Sequence, residues 1–192
     1  MFITALALAA VSGAASAYAP QSAFWAALRR HCGKAYAGRL VTEDRADAAM
    51  ANAAMVMHVH RCTPTEVRVA FHVETAKGWD RSRTWVLTRP AGRLRLKHDH
   101  RHADGAPDEI TNYGGDAADA GTKRRQSFPA DSESRALFAR TGRQVSLANV
   151  WAVEVTPRLF AYELRREGDN RHFRVEFDLS RPITAPPPPW GG

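Results

Sequence analysis

The chain has 192 residues, a formal net charge of +7 and a hydrophobic content of 44%. A length of this order fits one domain that can bury a real core. The positive charge is mostly arginine, with only Lys34, Lys77, Lys97 and Lys123 as lysines, and it is spread along the chain. No basic block is present, which argues against nucleic-acid binding and leaves at most a weak attraction to anionic envelope surfaces.

In chain order, the first feature is an apolar run from Phe2 to Val11 followed by small residues, with Ala15-Ser16-Ala17 matching the small-x-small pattern of a cleavage site. Residues 1–17 therefore read as a secretory leader, although no Lys or Arg precedes the run. A short uncleaved anchor is the competing reading, but the run falls well below the roughly 20 residues that span a bilayer. Export to an oxidising compartment, periplasmic or secreted, allows Cys32 and Cys62 to pair, and two cysteines leave one intramolecular choice. Such a bridge stabilises by roughly 3–4 kcal/mol in the chain-entropy model.

Phe24, Trp25 and Leu28 then fall at helical spacing, with Gly33 as the stop. From Arg39 onward the period changes to two. In "EVRVAFHVE" Val67, Val69, Phe71 and Val73 share one face, with Glu66, Arg68, His72 and Glu74 on the other; "HFRVEFDL" repeats the alternation with Phe173, Val175, Phe177 and Leu179. Further strands are predicted over 38–42, 54–62, 83–89, 93–100, 109–113, 123–128, 149–155 and 159–165, joined by the turn sequences "TP", "KGWD", "PAG" and "EGDN". One helix interrupts them near 131–141, with Asp131 as cap, Glu133 in the first turn, Leu137 and Phe138 as apolar contacts and Gly142 as the stop.

The expected fold is all-β. An antiparallel up-and-down meander of about nine or ten strands closes into a barrel, because closure removes exposed edges. The domain is expected over 18–181, with a Pro-rich tail over 182–192 that is extended, either loose or laid over the barrel. Trp85, Trp151, Phe160 and Tyr162 are read as inward core aromatics.

The stretch "RLRLKHDHRHADG" carries the functional question. Arg93, Arg95, Lys97, Asp99 and Arg101 form one face, and Leu94, Leu96, His98, His100 and His102 form the other. A row of charges resists burial, so the leucine face points inward. If the pleat continues past Lys97, the three imidazoles follow the leucines toward the barrel mouth. If the strand frays before the loop at 102–107, they face water instead. Tyr113, beside two glycines in "NYGGD", is placed near the same loop as a rim contact.

Metal binding is limited by geometry, since strand positions i and i+2 lie about 6.6 Å apart and i and i+4 about 13 Å. One zinc ion can take His98 with His100, or His100 with His102, but hardly all three, and it needs a third ligand from elsewhere, among His58, His60, His72, Asp104 or Glu109. Parity turns His72 outward and leaves His58 and His60 undecided. Hydrolase elbows, H-E-x-x-H and phosphate-cradling loops are absent. A general base would have to be His98 or His100 paired with Asp108 or Glu109.

The segments "FWAALRRHCGKAYAGRL", "RTWVLTR", "LRLKHDHRHADG", "NVWAVEV", "FAYELRR" and "FRVEFDLSRP" together resemble a family of exported bacterial proteins that carries no activity to transfer. More distantly, a leading helix followed by such a barrel is similar to the calycin architecture of lipocalins and nitrobindin-type haem proteins; the lipocalin G-x-W signature is missing. Fold alone assigns no function. The sequence thus leads to a monomeric small-molecule-binding barrel of the envelope, holding a polar or anionic ligand with His98, His100, His102 and Tyr113. A metal-dependent or acid/base hydrolase using the same histidines, and a filled structural barrel, are the alternatives.

Overall fold

The computed structural model describes residues 18–192, and the expected leader over 1–17 lies outside them. Helix α1 (Ala19–Arg29) buries Phe24, Trp25 and Leu28, and Gly33 takes the left-handed φ of +77° that ends the segment. Its Gln21, 2% exposed, accepts from the Leu94 N–H at 3.1 Å and donates to the Asp119 carbonyl at 2.8 Å. These bonds seat α1 across one end of the sheet as a plug. The Cys32–Cys62 disulfide then ties the segment after α1 to the second strand across a separation of 30 residues.

Ten antiparallel strands follow: β1 (Ala35–Leu40), β2 (Met55–Cys62), β3 (Glu66–Thr75), β4 (Gly78–Thr88), β5 (Arg95–His100), β6 (Tyr113–Asp116), β7 (Arg125–Pro129), β8 (Asn149–Val155), β9 (Leu159–Arg166) and β10 (His172–Ile183). Chain neighbours pair from β1 to β6 and from β7 to β10, and β1 pairs with β10, so the meander returns on itself with β6 and β7 as its two edges. The seam between β6 and β7 is held by the Asp131 N–H on the Gly114 carbonyl, 2.9 Å, and the Ala118 N–H on the Ser127 carbonyl, 3.0 Å. Glycine is required there, because a Cβ at Gly115 would stand 1.9 Å from the Pro129 carbonyl oxygen. The result is a nearly closed barrel. Helix α2 (Ser132–Arg140) is inserted between β7 and β8, with the Asp131 carboxylate accepting the Ser134 N–H at 2.8 Å.

Strand limits differ from expectation in several places, and β4 starts at Gly78, within the expected turn. Residues 109–112 stay a loop, because the Asp108 carboxylate takes the Ile110 N–H and Asn112 adopts φ +58°. β7 starts at Arg125, since the Thr122 hydroxyl accepts the N–H groups of Arg124 and Arg125 in a turn. β1 lies earlier than 38–42, and β10 runs two residues past position 181, its end pairing Pro182 with Tyr36 and Ile183 with Ala35.

The interior holds Met57, Val59, Val69, Leu87, Leu96, Phe128, Val153, Phe160 and Phe177, all essentially inaccessible. The outer face is partly covered as well. Ala35, His58, Ala70, Thr84 and Asp99 form one row across β1 to β5, and the Pro-rich tail starts beside it at Ile183. Residues 184–190, extended at ~3.1 Å each, reach across strands ~4.8 Å apart to β4. There the Trp190 N–H meets the Arg81 carbonyl at 3.0 Å and Arg81 donates to the Pro188 carbonyl at 2.7 Å. Pro189 is buried. The tail is a strap laid over the barrel.

Simple alternation of exposure fails at an outward-facing residue. His72 faces outward, as parity requires, yet it is 0% exposed. His58 and His60 share that face with it, their rings 6.0 Å apart.

Candidate functional site

The inner face of β5 runs from the plugged end toward the open one. Leu94 and Leu96 are fully buried, His98 is 2% exposed, and His100 comes next in register opposite Arg83 of β4. The pleat therefore continues through His100. It then breaks: His102 donates its backbone N–H to Ala106 and accepts from Gly105, forming a turn that leaves its ring in solvent, 4.0 Å from Asp108. Of the three histidines expected in one row, two lie inside and His102 does not. The five alternating charges lie outside, Arg95 on Asp116, Lys97 on Asp131 and Glu133, and both Arg68 and Arg101 on Asp99.

His98 is locked by its neighbours. Its Nδ1 lies 3.0 Å from the Tyr113 carbonyl, which can only accept, so Nδ1 carries the hydrogen and Nε2 accepts from the Tyr162 hydroxyl at 2.7 Å. Burial, with the His100 charge, holds its pKa at about 3, and the ring is neutral at physiological pH. The Tyr113 ring stacks on it at 4.4 Å, and Trp85 stacks on Tyr162 at 4.2 Å with Phe71 behind at 4.9 Å. Two aromatic columns joined by one imidazole form the floor of a cavity.

That cavity has a volume of about 280 Å³ and opens at the end opposite α1. His100 stands in its wall, with its Nε2 3.2 Å from the Tyr113 hydroxyl. Burial, with the adjacent Arg83 charge, keeps His100 near 4, and burial pushes the Tyr113 hydroxyl up to about 12 against the pull of Arg83 and Arg143. Around the mouth stand Arg83, Arg143, Arg171, Asp47, Ser146 and Asn149. Sequence reasoning named none of these. Arg83 had a readable signal, since it shares parity with Trp85 two residues on; the Asp47–Arg171 pair, 124 residues apart, had none.

The hydrogen-bonding inventory of the mouth is lopsided. Asp47 is 2% exposed and takes two bonds from Arg171, which also reaches Asp44 at 2.9 Å. The Asn149 side-chain oxygen is taken by Arg166 at 3.2 Å. Arg83 bonds Asp80 through one nitrogen, and among the described residues Arg143 has no carboxylate partner. What is left facing the space is mostly donors: Arg143, the rest of the Arg83 fork, the Asn149 amide and the Ser146 hydroxyl.

The residues do not converge on a metal. Among the described residues no group of three His, Cys, Asp or Glu has the geometry to hold one. The third ligands considered for His98 and His100 are elsewhere: His58, His60 and His72 on the outer face, Asp104 and Glu109 exposed in the loop. His98 moreover has both ring nitrogens engaged. Among the described residues no carboxylate is hydrogen-bonded to the His100 ring, whose Nε2 meets the Tyr113 hydroxyl.

Fold and site together define a nearly closed ten-stranded barrel, plugged at one end, with a small aromatic-floored and donor-rimmed cavity at the other. Comparison with protein-family models, curated proteins and solved structures finds no match to this chain.

Proposed function

We propose that this is an exported, non-enzymatic binding protein of the cell envelope that holds a small polar or anionic molecule in the cavity beside His100. The observation that carries the reading is the mismatch at the mouth: the carboxylates are tied to arginines, while several donors remain free. A cavity with unpaired donors complements an acceptor-rich guest. The leader-like residues 1–17 and the Cys32–Cys62 bridge support export, and among the described residues no helix is long and apolar enough to cross a membrane.

Size narrows the choice. At about 280 Å³ the space sits at the low end of small-molecule pockets, which run from roughly 300 to 1,000 Å³. A haem or a long acyl chain, the guests that the calycin likeness brings to mind, exceeds it.

Thermal-shift screening of the purified protein against small envelope metabolites tests the reading, because a guest specific for the folded state must raise the melting temperature. A positive shift in one chemical class supports it. Absence of any shift across acids, sugars, amines and peptides at millimolar concentration counts against it and favours a filled structural barrel.

A further inference from the structure

We infer that the cavity selects a flat, conjugated ring bearing a single acidic group, with the acid held by Arg143 and Arg83 and the ring lodged among Tyr113, Trp151 and Trp85. This rests on the binding reading above and names the class of guest.

The acid follows from what the mouth leaves unsatisfied. Arg143 is exposed at the rim on the segment after α2, with no carboxylate partner among the described residues, and Arg83 keeps donors beyond its one bond to Asp80. A guanidinium presents a planar fork that matches a carboxylate or phosphate in two parallel bonds. Placed over a low-dielectric aromatic floor, such bonds gain strength relative to water.

The ring follows from the floor. Trp85 on Tyr162 and Tyr113 on His98 are near-parallel pairs, tilted by 13° and 14°, while Trp151 leans over His98 at 5.0 Å and 50°. A conjugated guest gains edge and offset contacts from several of these rings at once, whereas a saturated ring of equal volume gains only buried area. The volume of about 280 Å³, filled near the packing density of protein interiors, admits on the order of ten to fifteen non-hydrogen atoms. One or two fused rings with one acid meet that bound.

Aromatic enclosures elsewhere take ammonium groups. Here a cation is disfavoured, because it would enter past Arg143 and Arg83 and find the Asp47 carboxylate already engaged by Arg171 in a two-point bond.

The test is calorimetric titration of the whole protein with 2-naphthoate, its neutral isostere 2-naphthamide, and decalin-2-carboxylate, with tryptophan quenching as a second readout. The expected result is 2-naphthoate binding at least about tenfold tighter than either control, with Arg143→Ala weakening naphthoate about tenfold and leaving naphthamide unchanged. Equal affinity for the amide overturns the acid, and equal affinity for the decalin acid overturns the ring. If none of the three binds while a compound of another class does, the ligand class is wrong and the binding reading survives. If no compound of any class binds, the binding reading falls with it.

Discussion

The Tyr162 hydroxyl donates to Nε2 of His98 across 2.7 Å, joining β9 to β5 through the middle of the barrel. Both groups are buried, so removing one leaves the other without a partner. Tyr162→Phe is expected to lose about 1–3 kcal/mol of unfolding free energy by chemical denaturation. Loss below about 0.5 kcal/mol would mean that His98 finds another donor. The double variant with His98→Leu should recover part of the loss, since it removes the stranded nitrogen.

His72 presents the opposite case, because both of its ring nitrogens are buried without a hydrogen-bond partner, as are His58 Nδ1 and His60 Nε2. Burial, aided by Arg81, His58 and His60, holds His72 near 4; burial, aided by His58, Arg68 and Arg61, does the same for His60; Asp80 and Glu66 oppose only weakly. The unfolded chain takes up protons near 6.5 and the folded one resists until about 4. Stability is therefore full above about pH 6.5 and falls as pH drops through that window. Chemical denaturation at a series of pH values reads this decline. His72→Leu should raise stability at pH 7 by about 1–2 kcal/mol and flatten the acid decline; an unchanged pH profile would contradict this.

Glu163 on the outer face bonds Arg125, Arg165 and Arg174 at 3.0, 2.5 and 3.1 Å, and these bonds outweigh the cost of its burial and hold its pKa at about 2. Its contribution is present above the ordinary carboxylate range and is lost as pH falls from about 4.5 toward 2, overlapping only the acid end of the histidine window. Glu163→Ala should cost roughly 3 kcal/mol, because three arginines lose their shared partner. Arg165→Ala, at a more exposed position, should cost under about 1 kcal/mol. Equal losses in the two variants, measured in urea, would show that the network is not centred on Glu163.

Reduction of Cys32–Cys62 is expected to lower stability by about 3–4 kcal/mol and to loosen the plug end first. Hydrogen exchange of the Leu94 amide, which is held by Gln21, reads that loosening. Faster exchange at Tyr113 than at Leu94 after reduction would place the effect at the wrong end.

The barrel was legible because period two is written plainly in β3 and β10, and the turn residues between strands are short and specific. The inward course of Leu94, Leu96 and His98 was legible for the same reason. His100 followed from it, but His102 did not, since the turn bonds at 102–106 override the pleat. The site's own chemistry was less visible. That His98 is satisfied depends on Tyr162, 64 residues away, and the neutralisation of Asp47 depends on Arg171, 124 residues away. The docking of the tail on Arg81 could not be read from a composition that says extended but not where it lies. Local pattern records which face a residue takes, and only the three-dimensional path records what covers it.

The proposed binding role requires that the space beside His100 receive a guest. Ser146 borders that space from a half-buried position outside the core, so Ser146→Trp fills the mouth without disturbing the fold. Equilibrium titration of both proteins with the best-shifting acid, checked by melting temperature without ligand, is the most direct measurement. The expected result is one site per chain in the native protein, and at least about tenfold weaker binding in the Ser146→Trp variant at unchanged melting temperature. Undiminished binding in the blocked protein would put the guest elsewhere and contradict it.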